Sequence, residues 1–219
     1  MLTKHTSTLF LFLSLLLSLL LTLTLPACTT DDDDTLSQAQ IDATRSILSG
    51  DIVVSAHATV NGVDKTLLDS GAPAKFSLSP ADPSTTIQLY QDNFQLGKMP
   101  FPISLGIDLT ISPLLSLESG MFSESGWVRF HGRRGVISIT GQRPTTTVDT
   151  TQSGDGTTIT GYVNINTREI QFNISYAMMN VEVAVPRQTI DPTRVDSYDD
   201  EVRQYEDDLN QYKKDHHLE

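Results

Sequence analysis

The chain has 219 residues and a formal net charge of −12, with 27 acidic against 15 basic residues. That length supports one domain with a full core and argues against two. The acid surplus argues against nucleic-acid binding, which needs a basic footprint to neutralise phosphates, and the lone cysteine, Cys28, rules out a disulfide framework.

Lys4 precedes an apolar run from Leu9 to Leu25, which closes on Leu25-Pro26-Ala27-Cys28. A basic start, an apolar stretch and a small residue form the layout of a secretory signal peptide over residues 1–27. The closing residues resemble the lipobox of bacterial lipoproteins, although Pro26 departs from the small or β-branched residue usual there. The resemblance implies that Cys28 is lipidated and becomes the first residue of the mature chain. The competing reading is an uncleaved anchor. Its 17 residues lie at the short edge of a spanning helix, and Asp31–Asp34 follow where a Lys/Arg flank is expected. Both readings put the body outside the cytoplasm.

Acidity belongs to the ends. Asp31–Asp34 contribute −4 and residues 191–219 contribute −6, whereas residues 35–190 carry only −3. Residues 28–37 therefore read as a lipidated cysteine and an extended, self-repelling linker, and residues 38–190 as the globular domain. A short helix is expected around residues 36–48, with Ile41, Ile47 and Leu48 inward and Gly50 as its end.

From Asp51 the apolar period becomes two. Ile52, Val54, Ala56, Ala58 and Val60 alternate with Val53, Ser55, His57 and Thr59, and Asn61-Gly62 supplies a tight hairpin turn into a strand over about residues 63–68. The stretch from Ile87 to Leu117 is apolar but holds Pro100, Pro102 and Pro113, which predicts short or edge strands. Trp127–His131 and Val136–Thr140 read as a hairpin turning at Gly132-Arg133-Arg134-Gly135. Gly154-Asp155-Gly156 marks another turn, between Thr146–Thr151 and Thr157–Tyr162. A further hairpin turns at residues 166–169 into the alternating Ile170, Phe172, Ile174 and Tyr176. The expected fold class is all-β: an antiparallel β-sandwich or barrel-like sheet with a short N-terminal helix and a C-terminal helix.

That last helix occupies the acidic tail, residues 191–219. Asp191-Pro192 suits an N-cap with proline at the first helical position. Val195, Tyr198, Val202, Tyr205, Leu209 and Tyr212 follow at spacings of 3, 4, 3, 4 and 3, a seam for docking along one side, on the chain's own sheet or on a partner.

Three groups of residues could carry chemistry. Leu67-Leu68-Asp69-Ser70-Gly71-Ala72 resembles the Asp-Thr/Ser-Gly-Ala signature of retropepsin-like aspartic peptidases, and Ser104-Leu105-Gly106-Ile107-Asp108 resembles the element that backs the catalytic loop in them. The resemblance implies catalysis by Asp69, Ser70 and Gly71 in a symmetric dimer, because two carboxylates must share one proton. Against it, Asp-Ser-Gly is ordinary turn chemistry, and only 37 residues separate Asp69 from Gly106. Second, Trp127, Arg129, His131, Arg133 and Arg134 form a basic-aromatic cluster able to contact an anionic or sugar ligand. The alternative is a pair of arginines that merely keeps a sheet edge soluble. Third, His216-His217 offer too few ligands for a metal, so neither metal nor cofactor is expected.

Cys28 with Asp31–Asp34, the Ile47-Leu48-Ser49-Gly50 entry to the first strand, Asn93–Ile103 and Phe172–Tyr176 together resemble small Bacteroidota-type cell-envelope lipoproteins of unknown function. The resemblance implies an outer-membrane lipoprotein, exposed at the cell surface where acidic residues after the cysteine act as an export signal. The functional expectation is a non-enzymatic binding or interaction module. It is held to the membrane by lipid on Cys28 and recognises a protein or glycan partner. The alternative is the homodimeric peptidase.

Overall fold

The structure is a computed structural model that describes residues 35–95, 102–139, 142–144, 146, 156–176 and 180–218. The signal peptide, Cys28, Asp31–Asp34 and, of the Gly154-Asp155-Gly156 turn, Gly154 and Asp155 lie outside the described residues. Helix α1 (Gln38–Ile47) begins with a capping box. Ser37 Oγ accepts the Gln40 N–H at 3.3 Å, and Gln40 Oε1 accepts the Ser37 N–H at 3.0 Å. Ile41, Thr44 and Ile47 face inward, and Arg45 Nη1 donates to the carbonyls of Ala81 and Ser84 at 2.8 and 2.7 Å.

Nine strands follow: β1 (Gly50–Val60), β2 (Val63–Asp64), β3 (Ala72–Ala81), β4 (Thr86–Phe94), β5 (Ile103–Ser112), β6 (Trp127–Ser138), β7 (Thr157–Asn164), β8 (Glu169–Tyr176) and β9 (Val181–Thr189). All but β2 are staves of a meander in which each pairs antiparallel with the next. β1 also pairs with β9, from His57 opposite Ala184 to Val60 opposite Val181. The sheet is therefore a closed eight-stave barrel, and β2 is a spur on β1. Where β1 and β9 splay apart, the Gln188 side chain completes the seam. Its Oε1 accepts the Ser55 N–H at 2.8 Å and its Nε2 donates to the Ser55 carbonyl at 2.9 Å.

Alternation directs one face of every stave inward. Phe172 lies 5.2 Å from Phe76 and 6.0 Å from Phe130, ring centre to ring centre, and Ile107, Leu105, Ile159 and Ile174 pack around them. Gly161 makes room for this cluster, since a Cβ there would stand 2.3 Å from Phe130 Cζ. An eight-stave barrel is just wide enough to be filled by side chains, and this one is filled.

Within the sheet, four sequence expectations need correction. The strand returning from Asn61-Gly62 lasts two residues, because Thr66 Oγ1 takes the Ala58 N–H at 2.8 Å and Leu67 turns to φ 63°. β3 was not anticipated as a strand at all. β4 and β5 are full-length central staves, with Pro102 and Pro113 just outside β5. Gly132-Arg133-Arg134-Gly135 is a bulge within the continuous 12-residue β6, not a hairpin tip. At Gly132 a Cβ would meet Asp108 O at 2.7 Å and at Gly135 Leu105 Cδ1 at 2.9 Å, so the bare backbone lets β6 bend tightly over β5.

The tail forms two helices instead of one. Asp191 caps a 3₁₀ turn (Pro192–Val195) by accepting the Thr193 N–H at 2.9 Å, and α2 (Tyr198–Asp215) starts afresh. The apolar seam docks on the barrel: Tyr205 and Leu209 are buried, and the Tyr205 hydroxyl donates to the Thr66 carbonyl at 2.8 Å.

Candidate functional site

β6 sends Val128 and Phe130 into the barrel and Trp127, Arg129 and His131 outward. The segment between β5 and β6 folds back over these outward side chains. Phe122 packs at 4.7 Å from the Trp127 ring and 4.4 Å from Tyr162 of β7. Beside it, Glu118 turns inward: Oε1 accepts the Tyr162 hydroxyl at 2.7 Å, and Oε2 accepts the Leu115 N–H at 2.9 Å. Arg129 Nε lies 3.3 Å from Glu118 Oε1 without being aligned for a hydrogen bond, so their attraction is ionic. Both side chains are largely buried, which strengthens that attraction over a surface pair.

Arg129 Nη1 stands 2.9 Å from His131 Nδ1. A guanidinium only donates, so Nδ1 accepts and the neutral ring carries its proton on Nε2. Burial, and then the charges of Arg129 and Arg133, hold the His131 imidazole below its ordinary value despite Glu118. Burial, and then the bond to Glu118, push the Tyr162 phenol up to about 12.

A second knot lies at the edge. The Trp127 indole donates to Glu124 at 3.2 Å, and Arg187 of β9 reaches Glu124 at 3.0 Å and Glu169 at 2.8 Å while its guanidinium sits 4.9 Å from the Trp127 ring centre. Glu118, Glu124, Tyr162 and Arg187 escaped the sequence reading. Of the basic-aromatic cluster, Trp127 and Arg129 are covered by the folded-back segment, while Arg133 and Arg134 stand exposed at the bulge.

Elsewhere the outer wall is partly covered: Tyr198 of α2 lies over Lys75 of β3, and Arg143 and Thr146 lie against Tyr90 and Gln88 of β4, while the faces of β7, β8 and β9 carry open hollows. Ladder pairing places Thr110, His131, Thr160, Asn173, Ala184 and His57 in one row across six staves. A second row runs Thr158, Ser175, Glu182 and Thr59. Two adjoining hollows, each of about 360 Å³, share Thr160, Asn173 and Ala184, and among their lining residues only Glu182 carries a formal charge.

Asp69 is exposed in a β-turn closed by the Gly71 N–H on the Leu68 carbonyl at 3.0 Å. Gly71 has φ +74° and a Cβ there would come within 3.3 Å of His57 Nε2, which is why glycine stands there. The interval from Asp69 to Gly106 holds β3, β4 and the first part of β5 as staves, with no flap folded over Asp69 among the described residues. Gly106 pairs with Tyr90 and Val136 in mid-β5, so the element expected to back the Asp69 loop is a stave of its own. No group of three or more His, Cys, Asp or Glu side chains among the described residues is arranged to hold a metal.

A family model described as a domain of unknown function, DUF4903, matches residues 28–217. The chain belongs to this family. No curated protein and no solved structure matches it. The DUF4903 match thus takes in the whole barrel, both helices and Cys28, and membership brings no activity with it.

Proposed function

We propose that this DUF4903 chain is a non-enzymatic binding module of the cell envelope, tethered by lipid on Cys28, and that the open outer face of β7, β8 and β9 receives a glycan. The observation that carries the reading is the Thr160–Asn173–Ala184 row, seen against a filled interior. Aromatic and branched side chains occupy the barrel's axis, so a ligand is met on the wall. Hydroxyls and amides there donate and accept in the way sugar hydroxyls do, and the small Ala184 lets a ring approach the backbone. Near-absence of charge spares an uncharged ligand the cost of desolvating ions. The family match begins at Cys28 itself, the residue that lipoprotein processing would place first, which supports the tether.

Two measurements test this. Metabolic palmitate labelling is expected in the intact chain and absent after Cys28→Ala; label that survives the replacement sinks the tether. Titration with neutral oligosaccharides should move the amide resonances of Thr160, Asn173 and Ala184, and Asn173→Ala should abolish the shifts. Saccharides that leave this row unmoved overturn the binding site.

A further inference from the structure

Between β5 and β6, the turn from Leu115 to Phe122 has inverted polarity. It buries Glu118 and Phe122 against the barrel wall and holds Leu115, Leu117 and Met121 out to solvent. Leu117 is 93% exposed, Met121 67% and Leu115 53%, whereas Glu118 is only 9% exposed. Large apolar side chains held this far out of their usual place mark an interaction surface. The display is fixed. The Glu118 N–H and the Ser119 N–H both donate to the Leu115 carbonyl, at 2.8 and 3.1 Å, and the Met121 N–H to Glu118 at 2.8 Å. Glu118 and Phe122 then pin this turn to Arg129, Tyr162 and Trp127.

We infer that Leu115, Leu117 and Met121 form an apolar knuckle that inserts into the lipid surface to which the chain is tethered. The inference rests on the tethered reading above and adds an orientation to it. The chain enters the barrel at the same end as the knuckle. Leu36 packs on the core, α1 is pinned to the turn between β3 and β4 through Arg45, and that turn is bonded to the end of β5 by the Ile111 N–H on the Thr85 carbonyl at 2.7 Å. Leu36 lies eight positions after Cys28, and extended chain covers at most about 3.6 Å per residue, so an anchored cysteine keeps that end within roughly 30 Å of the bilayer. The chemistry fits lipid better than a second copy. Ser116, Ser119 and Gly120 between the apolar residues are uncharged, and three side chains fall far short of the roughly 800 Å² per partner that a stable dimer buries.

The barrel closes its own core from Thr35 onward, so the test uses the chain begun at Thr29, which has no cysteine and no lipid. Leu117→Cys carrying an environment-sensitive fluorophore should shift to the blue and brighten on phosphatidylcholine vesicles. The same label on Ser175→Cys, towards the other end of the barrel, should not respond. Replacing Leu115, Leu117 and Met121 together by serine should weaken vesicle cosedimentation roughly tenfold or more, with near-UV circular dichroism unchanged. Without Lys4 the chain begun at Thr29 carries 27 acidic against 14 basic residues, a net charge of −13, which predicts no gain from anionic phosphatidylglycerol. A silent label at 117, a response equal at 117 and 175, or lipid-independent crosslinking of 117 to another chain overturns the knuckle. None of these readouts involves Cys28, so loss of palmitate labelling retires the tether alone.

Discussion

Tyr176 and Tyr162 stand on neighbouring staves, one inside the barrel and one outside it. Tyr176 is 1% exposed, stacks on Phe94, and donates its hydroxyl to Gln91, a neutral amide. Tyr162 is half-buried under the folded-back segment and donates to Glu118, a carboxylate with Arg129 beside it. The interior accepts only a neutral pair because an ion there would lose its hydration with nothing to replace it. The outer wall keeps enough contact with water, and supplies an opposite charge, so a carboxylate can hold the segment down. The barrel's closure is therefore set by packing, whereas attachment of the knuckle is set by charge and responds to pH.

The sharpest way to break this contrast is to damage the packed side. Phe172→Ala removes the ring lodged between Phe76 and Phe130 and should cost about 3–5 kcal/mol, read as a lowered urea midpoint with an unchanged slope. A loss below about 1 kcal/mol would mean the axis is loosely filled, and the argument against an internal ligand would fall with it.

Next in size is the charged side. Glu118→Ala leaves the Tyr162 hydroxyl and the Leu115 N–H without their acceptor and the largely buried Arg129 without its counter-ion. Unpairing such groups costs about 1–3 kcal/mol, but the loss should fall on the segment before the barrel. Limited proteolysis should cut between residues 113 and 126 while the urea midpoint moves little. If barrel and segment unfold together at a lower urea concentration, with no prior cleavage, the two regions are one cooperative unit and the contrast is wrong.

How far the sequence revealed these regions depends on whether a residue's role follows from period. β1, the β7–β8 hairpin and the Tyr205–Leu209 seam all announce themselves through spacing and are where spacing puts them. β3 alternates as cleanly, with Ala72, Ala74, Phe76 and Leu78 inward, but Pro73 and Pro80 interrupt the run and no strand is read there from the sequence. Ser55 gives both of its backbone groups to Gln188 on its other side, so its pair with Pro73 carries no hydrogen bonds. The missing proline N–H points where β3 has no ladder partner, since pairing with β4 begins at Ser77. Sequence cannot show which flank of a strand is unpaired. Nor does Leu115-Ser116-Leu117-Glu118-Ser119-Gly120-Met121 have a period that says the glutamate turns in and the leucines out. The Asp69 motif was conspicuous because it is short and familiar, whereas Glu118 and Tyr162 stand 44 residues apart and meet only because β7 pairs with β6, Tyr162 opposite Arg129.

The smallest effect is the alkaline one, and it separates the tyrosines directly. Tyr162 holds its proton to about 12, against about 10 in the unfolded chain, because burial and the bond to Glu118 favour the neutral phenol. A raised folded value contributes stability that is fully present below pH 10 and is lost as pH climbs from 10 towards 12, since the unfolded chain sheds its proton first. Tyr205, also pushed up to about 12 by burial and then by the charge of Asp64, contributes in the same window from beneath α2. Tyr162→Phe should therefore flatten the rise in cleavage between residues 113 and 126 as pH climbs from 10 to 12, while Tyr205 acts on α2 in the same window. Ultraviolet titration of the folded protein should show the Tyr162 phenolate appearing late. Tyr176, pushed further up by complete burial, should ionise only as the barrel opens. A Tyr162→Phe variant with the same alkaline rise in cleavage as the parent would mean that the Glu118 carboxylate does not hold the phenol, and the charge-set attachment of the knuckle would have to be abandoned.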